Sequence, residues 1–363
     1  MTVYNCSIVL ILGLWIMSKG IPSKKAILFS FSLCYLTLIA GLRNYKYVGV
    51  DMIRYSRHYE NAAKYSFRRS LYYSDTSQLY YASNWISRHV GWSFQTYVLI
   101  VSVFCVSVFG WYIYKWSKSP FLSLFVYLGV GSYTFLYSGL KQSIAMAVML
   151  IAVDQYNEKH FSAAFMVLVI AFFFHPSAII MLPYFIISKV GINKLVLLSY
   201  FMILILSIIF RIQLGRILTL IYDETYLGHY SSRGRLGGTA IFVLGILIIY
   251  ALLNYDDIKI AGSQKCKYLH GLFIMFIIQV CSSYAYSFTR INLYYMVSIM
   301  TLVIPQVVTE CHTVFKAGRG TPYLKILSQG AIIVIMIALF YGHIRSESLQ
   351  NYYFLWQNGS FLK

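Results

Sequence analysis

The sequence lacks the charge density of a water-soluble chain. Only 11% of its 363 residues are charged against 59% hydrophobic, and the mean hydropathy is +0.66. No soluble domain of this length could hide that much apolar surface in one core, so the soluble classes are excluded and a membrane protein is implied. No C-x-x-C pair is present. The six cysteines (Cys6, Cys34, Cys105, Cys266, Cys281 and Cys311) fall mostly within apolar runs, where a free thiol behaves as a small hydrophobe. Neither a disulfide nor a zinc site is expected. No basic stretch precedes the first apolar run, whereas Lys19, Lys24 and Lys25 follow it, the reverse of a cleavable signal peptide. That run is expected to remain as a span with its N-terminus outward. No D-x-D pair could hold a divalent metal on a nucleotide sugar, and His175 has no aspartate four residues on, as a membrane acyltransferase would usually show. No internal repeat suggests the paired halves of a transporter.

What is present is a succession of apolar runs, each near the roughly 20 residues of a helical span. About twelve can be drawn, near 3–18, 26–42, 94–116, 120–138, 141–155, 160–174, 176–188, 194–212, 239–254, 268–286, 291–308 and 326–343. The expected fold is all-α and polytopic, a single transmembrane domain over 1–363, with the short runs as tilted pairs or re-entrant halves. The formal charge of +19 does not point to nucleic acid, because the basic residues are scattered among short loops. Lys19, Lys24, Lys25, Lys115, Lys118, Lys159, Lys189, Lys194, Lys259, Lys265, Lys267, Lys316, Arg319 and Lys325 all fall on one face, the positive-inside pattern. Those loops are too short for a catalytic domain.

The remaining charges fall on the opposite face, in "GLRNYKYVGVDMIRYSRHYE", "SGLKQSIAMA", "FFFHPSA", "DETYLGHYSSRGRLGG" and "YSFTRINLYY". Arg43, Arg54, Arg57, Lys141, Arg233, Arg235 and Arg290 would then surround an outer-face site, against the positive-inside tendency. An anion should compensate them, and a lipid diphosphate fits, since guanidinium groups match phosphate oxygens with paired donors. An outer loop at about 43–93 and another at about 213–238 would contribute to the site. In the first, amphipathic helices are expected, and three- and four-residue spacing puts Asp51, Arg54, Tyr55 and His58 on one helical face. Tyr72, Tyr73, Tyr80 and Tyr81 add aromatic surface suited to sugar rings or to the membrane interface.

Each of these residues also admits a structural reading. Lys141 and Arg290 lie at span ends, where long side chains snorkel. Asp51 can pair with Arg54, and His175 can bond a neighbouring carbonyl as a neutral ring. Arg43, Arg233 and Arg235 can be solvated loop charges. His175-Pro176 fits the junction of two spans, because a proline that starts a helix needs no N–H there.

"VGVDMIRY", "SGLKQSIAMAV", "FFFHPSAIIMLPYF" and "FTRINLYYM", in that order and spacing, resemble the EpsG-like branch of Wzy polysaccharide polymerases. Family members commonly have Thr before the aspartate and Arg before the glutamine, where this chain has Val50 and Lys141. The resemblance implies a glycosyltransferase of the bacterial inner membrane, with its site facing the periplasm or outside. It would transfer a growing glycan from undecaprenyl diphosphate to a sugar hydroxyl of the next lipid-linked repeat unit. Donor and acceptor are both lipid-linked oligosaccharides in membrane lipid, and a chain-length regulator and a flippase are the implied protein partners. On this reading Arg290, Lys141, Arg54 and Arg43 bind the diphosphate, Tyr55, His58 and Gln142 the sugars, and no metal or other cofactor is needed. His175 and Asp51 are the candidate catalytic residues, with His175 favoured as base and Asp51 orienting the acceptor. A flippase and an O-antigen ligase remain alternatives.

Overall fold

In hydrocarbon every backbone N–H and C=O must be satisfied within the protein, which a long apolar segment does as a helix. The structure, a computed structural model, describes residues 1–72, 77–220, 237–314, 321–346 and 349–357. Helices and turns dominate these residues, with one isolated antiparallel bridge, Arg43 to Phe354. Two compact units emerge, one from Met1–Ile179 with Gln329–Lys363 and one from Ile180–Ser328.

The first unit begins with α1 (Thr2–Gly20) and α2 (Lys25–Gly41). Three short helices follow in the predicted loop at 43–93: α3 (Met52–Ala62), α4 (Phe67–Tyr72) and α5 (Gln78–His89). α3 is amphipathic as expected, burying Met52, Tyr59 and Ala62 while exposing Arg54, Arg57 and Glu60. Ser93 then caps α6 (Phe94–Trp116) by accepting from the Thr96 N–H. Pro120 opens α7 (Pro120–Gly129), followed by α8 (Ser132–Phe135), α9 (Leu140–Asn157) and α10 (Phe161–Phe174). The chain enters a 3-10 turn at Pro176–Met181. Most of α18 (Thr321–Ser346) belongs to this unit, and residues beyond it return to pair with the end of α2 through the Asn44 N–H to Tyr353 O (2.8 Å) and the Leu355 N–H to Leu42 O (2.8 Å).

The second unit holds α11 (Leu182–Ile187), α12 (Lys194–Ile209), α13 (Arg211–Leu220), α14 (Gly238–Leu253), α15 (Gln264–Cys281), α16 (Ser287–Tyr295) and α17 (Thr301–Val314), with a π-helical turn at Met296–Met300. Asn292 pins α16 to α15, donating to Met275 O (3.1 Å) and Gln279 Oε1 (2.8 Å).

Among the described residues five helical segments are long and apolar enough to cross a membrane: Thr2–Gly20, Pro22–Gly41, Phe94–Trp116, Ser287–Cys311 and Ile326–Arg345. The α12–α13 pair, bent by 89°, makes a sixth if counted as one span. The twelve apolar runs do not translate into twelve full-length spans, because hydrophobicity does not report helix continuity. The run at 120–138 is split at Gly131, whose φ of +82 disfavours any side chain and whose Cβ would strike the His343 ring. The runs at 160–174 and 176–188 do part at His175-Pro176, as expected, but their helices are too short to cross. The short, broken pieces that result accord with the re-entrant halves anticipated for some runs. Arg233, Arg235 and Tyr73 lie outside the described residues.

Candidate functional site

The geometry of the first unit follows from three chain reversals. α9 and α10 pack as an antiparallel pair, so the start of α9 and the end of α10 meet at one end, which brings Lys141 and His175 into one neighbourhood. α5 packs on both α10 and α3, so α3 is held at that end as well. The loop before α3 is fixed by Gly49 at φ +106, where a Cβ would collide with the Tyr137 carbonyl oxygen. Only glycine lets "GVD" lie this close to "YSGLK", and Asp51 thereby approaches Lys141.

Arg43 underpins this contact. Its side chain is fully enclosed, and the guanidinium donates to Ala40 O and to Leu136 O (3.1 Å) while lying 4.7 Å from the centre of the Tyr137 ring. The alternative of a solvated loop charge is overturned: no part of Arg43 reaches water. Its two terminal nitrogens bond within the protein, whereas Nε has no partner among the described residues, and those bonds tie the end of α2 to the residues on which Gly49 rests. Gln95 supports the same turn by donating to Gly41 O (2.9 Å) and Arg43 O (3.0 Å).

Around Lys141 the charges are close enough to influence one another. Asp51 and Arg54 act on Lys141, Arg54 and Lys141 act on His58, and Lys141 acts on His175. No ion pair within 4.0 Å among the described residues includes Asp51, Arg54 or Lys141. The simple Asp51–Arg54 pair is therefore not formed. Lys141 is half-buried, Arg54 exposed, and Gln142 buried beside them. Burial, then the positive charges of Arg54 and Lys141, holds His58 below the usual imidazole value.

Aromatic rings frame one side. Tyr55 meets Tyr80 edge-on at 5.8 Å, and His58 meets Tyr81 edge-on at 6.0 Å. An ion pair from Arg88 to Glu60 (3.2 Å) and the Tyr59 hydroxyl donating to Trp92 O (2.9 Å) keep α3 in register with α5 and the start of α6.

His175 sits in the connection between α10 and the 3-10 turn. Its Nδ1 lies 2.5 Å from Ser177 Oγ and 3.2 Å from the Ser177 backbone N–H. The partner is thus a serine two residues on, not the carbonyl considered from sequence. Burial first, then the Lys141 charge, pushes the imidazole towards its neutral form. Sequence reasoning missed Ser177, Gly49 and the bracing role of Arg43. "HPS" and "YVGVD" contain the signals, but neither shows which partner would be reached. Arg290 belongs to the second unit, half-buried on α16.

Among the described residues no group of three or more His, Cys, Asp or Glu is placed to hold a metal ion. The cluster offers instead fixed positive charge, one carboxylate, two imidazoles held towards the neutral form and aromatic faces. Such a set can bind an anion and remove a proton beside it. No curated protein and no solved structure matches the chain. The sequence pattern of the EpsG family matches it over residues 26–356.

Proposed function

Because the chain belongs to the EpsG family, we propose that it polymerises lipid-linked oligosaccharide repeat units at the outer face of the bacterial inner membrane. The growing glycan passes from undecaprenyl diphosphate to a sugar hydroxyl of the next lipid-linked unit. One observation carries this reading: α3, the start of α9 and the end of α10 bring Asp51, Arg54, His58, Lys141 and His175 to one end of the first unit with an excess of positive charge. A lipid diphosphate supplies the missing anion.

As the glycosidic bond to the diphosphate breaks, negative charge grows on the leaving oxygen, and fixed cations stabilise it without reorganising. Lys141 and Arg54 take that role here, Lys141 as a point charge that does not fork onto two oxygens. Arg290 is assigned to the diphosphate by its motif. Tyr55, His58 and Gln142 contact the sugars, and Asp51 and His175 are the two groups able to take the hydroxyl proton. The outward orientation rests on the distribution of lysines and arginines among loops.

The test is the surface polysaccharide of a deletion strain. Loss of long chains with a single capped repeat remaining is expected of a polymerase. Complete loss of surface repeats, with lipid-linked units trapped inside, would instead assign the protein as a flippase.

A further inference from the structure

We infer that Ser177 fixes the tautomer of His175, making Nε2–H a hydrogen-bond donor to the lipid diphosphate and leaving proton removal to Asp51. The chemistry rests on the polymerase reading, whereas the geometry stands without it. A backbone N–H can only donate. The Ser177 N–H is 3.2 Å from His175 Nδ1, so that nitrogen presents its lone pair. The Ser177 hydroxyl, 2.5 Å from the same atom, must then donate as well. A neutral ring with a bare Nδ1 carries its only proton on Nε2.

The arrangement is rigid on both sides. Ser177 is buried, so water does not compete for its donors. Pro176 between the two residues has its φ locked and has no N–H of its own. The His175 main chain is also held, by its N–H to Ala171 O (3.0 Å) and by the Ala178 N–H to His175 O (3.0 Å).

A nitrogen that already carries a proton cannot accept one from a sugar hydroxyl. Protonation at Nδ1 would break the contact from the Ser177 N–H, force the Ser177 hydroxyl to turn from donor to acceptor, and place a further positive charge beside Lys141. His175 is therefore a poor base and a good donor. Its neighbour Lys141 marks the anion's position, so Nε2–H is suited to a phosphate oxygen.

The transfer then balances as follows. The acceptor oxygen bonds to the donor's anomeric carbon and passes its proton to the Asp51 carboxylate. The bond from that carbon to the diphosphate oxygen breaks, and its electron pair leaves on the diphosphate. His175 donates a hydrogen bond to this charge and keeps its proton. Asp51 finally releases the acquired proton to water. Ser177 is a positioning residue that acts through His175, and the ordering expected from sequence, with His175 as base, is reversed.

The experiment uses full-length protein labelled with 15N-histidine in lipid nanodiscs, with the His175 signals identified by their loss in His175→Gln. The expected ring at pH 7 is neutral with a bare Nδ1, and geranylgeranyl diphosphate moves its Nε2 proton downfield. An Nδ1–H tautomer, an imidazolium, or an Nε2 proton indifferent to the lipid diphosphate would overturn the assignment. Ser177→Ala should mix the tautomers and lower kcat roughly ten-fold with KM nearly unchanged, and Ser177→Thr should restore both. A kcat loss with the tautomer intact would make Ser177 merely structural and overturn the positioning role. Failure of the polymerase reading is separately visible: wild-type protein would show the bare Nδ1 yet join no synthetic lipid-linked repeats.

Discussion

The two ends of α9 carry opposite electrostatic solutions. At its end, Lys115 from α6 lies 2.6 Å from Asp154 and 3.0 Å from Glu158, and the Trp116 ring N–H donates to Asp154 at 2.9 Å. At its start, roughly 20 Å away at 1.5 Å per residue, Lys141 has charged neighbours but no ion pair within 4.0 Å among the described residues. At one end Lys115 is paired directly with two carboxylates, which leaves one negative charge in excess, and the pairs join helices. The other holds Arg54 and Lys141 against the single carboxylate Asp51, two positive charges to one negative, with both nearby imidazoles neutral. Unneutralised charge in a partly buried place is a cost to folding, and the lipid diphosphate proposed above is what would complete it.

Substitutions at the two ends should separate function from stability. The largest effect is expected for Asp51→Asn, which removes the base proposed above and should lower turnover about 100-fold or more in an assay with synthetic lipid-linked repeats. Normal turnover in that variant would remove Asp51 from the site. Next comes Lys141→Met, where loss of a charge-assisted contact of about 1.5–3 kcal/mol should weaken the reaction roughly 10- to 150-fold, while Lys141→Arg keeps most of it. If Lys141→Arg were as damaging as Lys141→Met, shape rather than charge would matter there.

At the opposite end Lys115→Met should leave turnover per folded molecule unchanged and lower thermal stability instead. Asp154 is almost fully buried and keeps the Trp116 N–H, but it loses a charge-assisted contact of about 1.5–3 kcal/mol, less where Lys115 meets solvent. A turnover defect without a stability defect would break the comparison. The smallest effect concerns pH. His58 and His175 are both held below the ordinary imidazole value of about 6.5, so the folded protein refuses protons that the unfolded chain binds. Their contribution is intact above about pH 6.5 and declines as the pH falls from there towards the folded values. The melting temperature should therefore drop between pH 7 and pH 5, less steeply in His175→Gln. A rise over that interval would contradict the buried, neutral state.

The all-helical character, the membrane class and the family were legible because composition and ordered motifs survive without any knowledge of packing. The helical face carrying Asp51, Arg54, Tyr55 and His58 was legible for the same reason, since helical spacing is local. The break at His175-Pro176 was legible from its proline, but the one at Gly131 was not, because it interrupts a run that remains apolar on both sides. Arg43 looked like a loop cation in sequence. Its acceptors, Ala40 O and Leu136 O, are backbone atoms, and no side-chain pattern reveals them. Ser177 was invisible for a similar reason: a small residue in an apolar run gains meaning only when its N–H is found on the histidine ring.

The most direct measurement is calorimetric titration of geranylgeranyl diphosphate into nanodisc-embedded wild type, Lys141→Met and Lys115→Met. A Kd raised about ten-fold or more for Lys141→Met, with Lys115→Met close to wild type, is predicted from the unneutralised end of α9. Equal affinity in all three proteins, or a greater loss at Lys115, would contradict it.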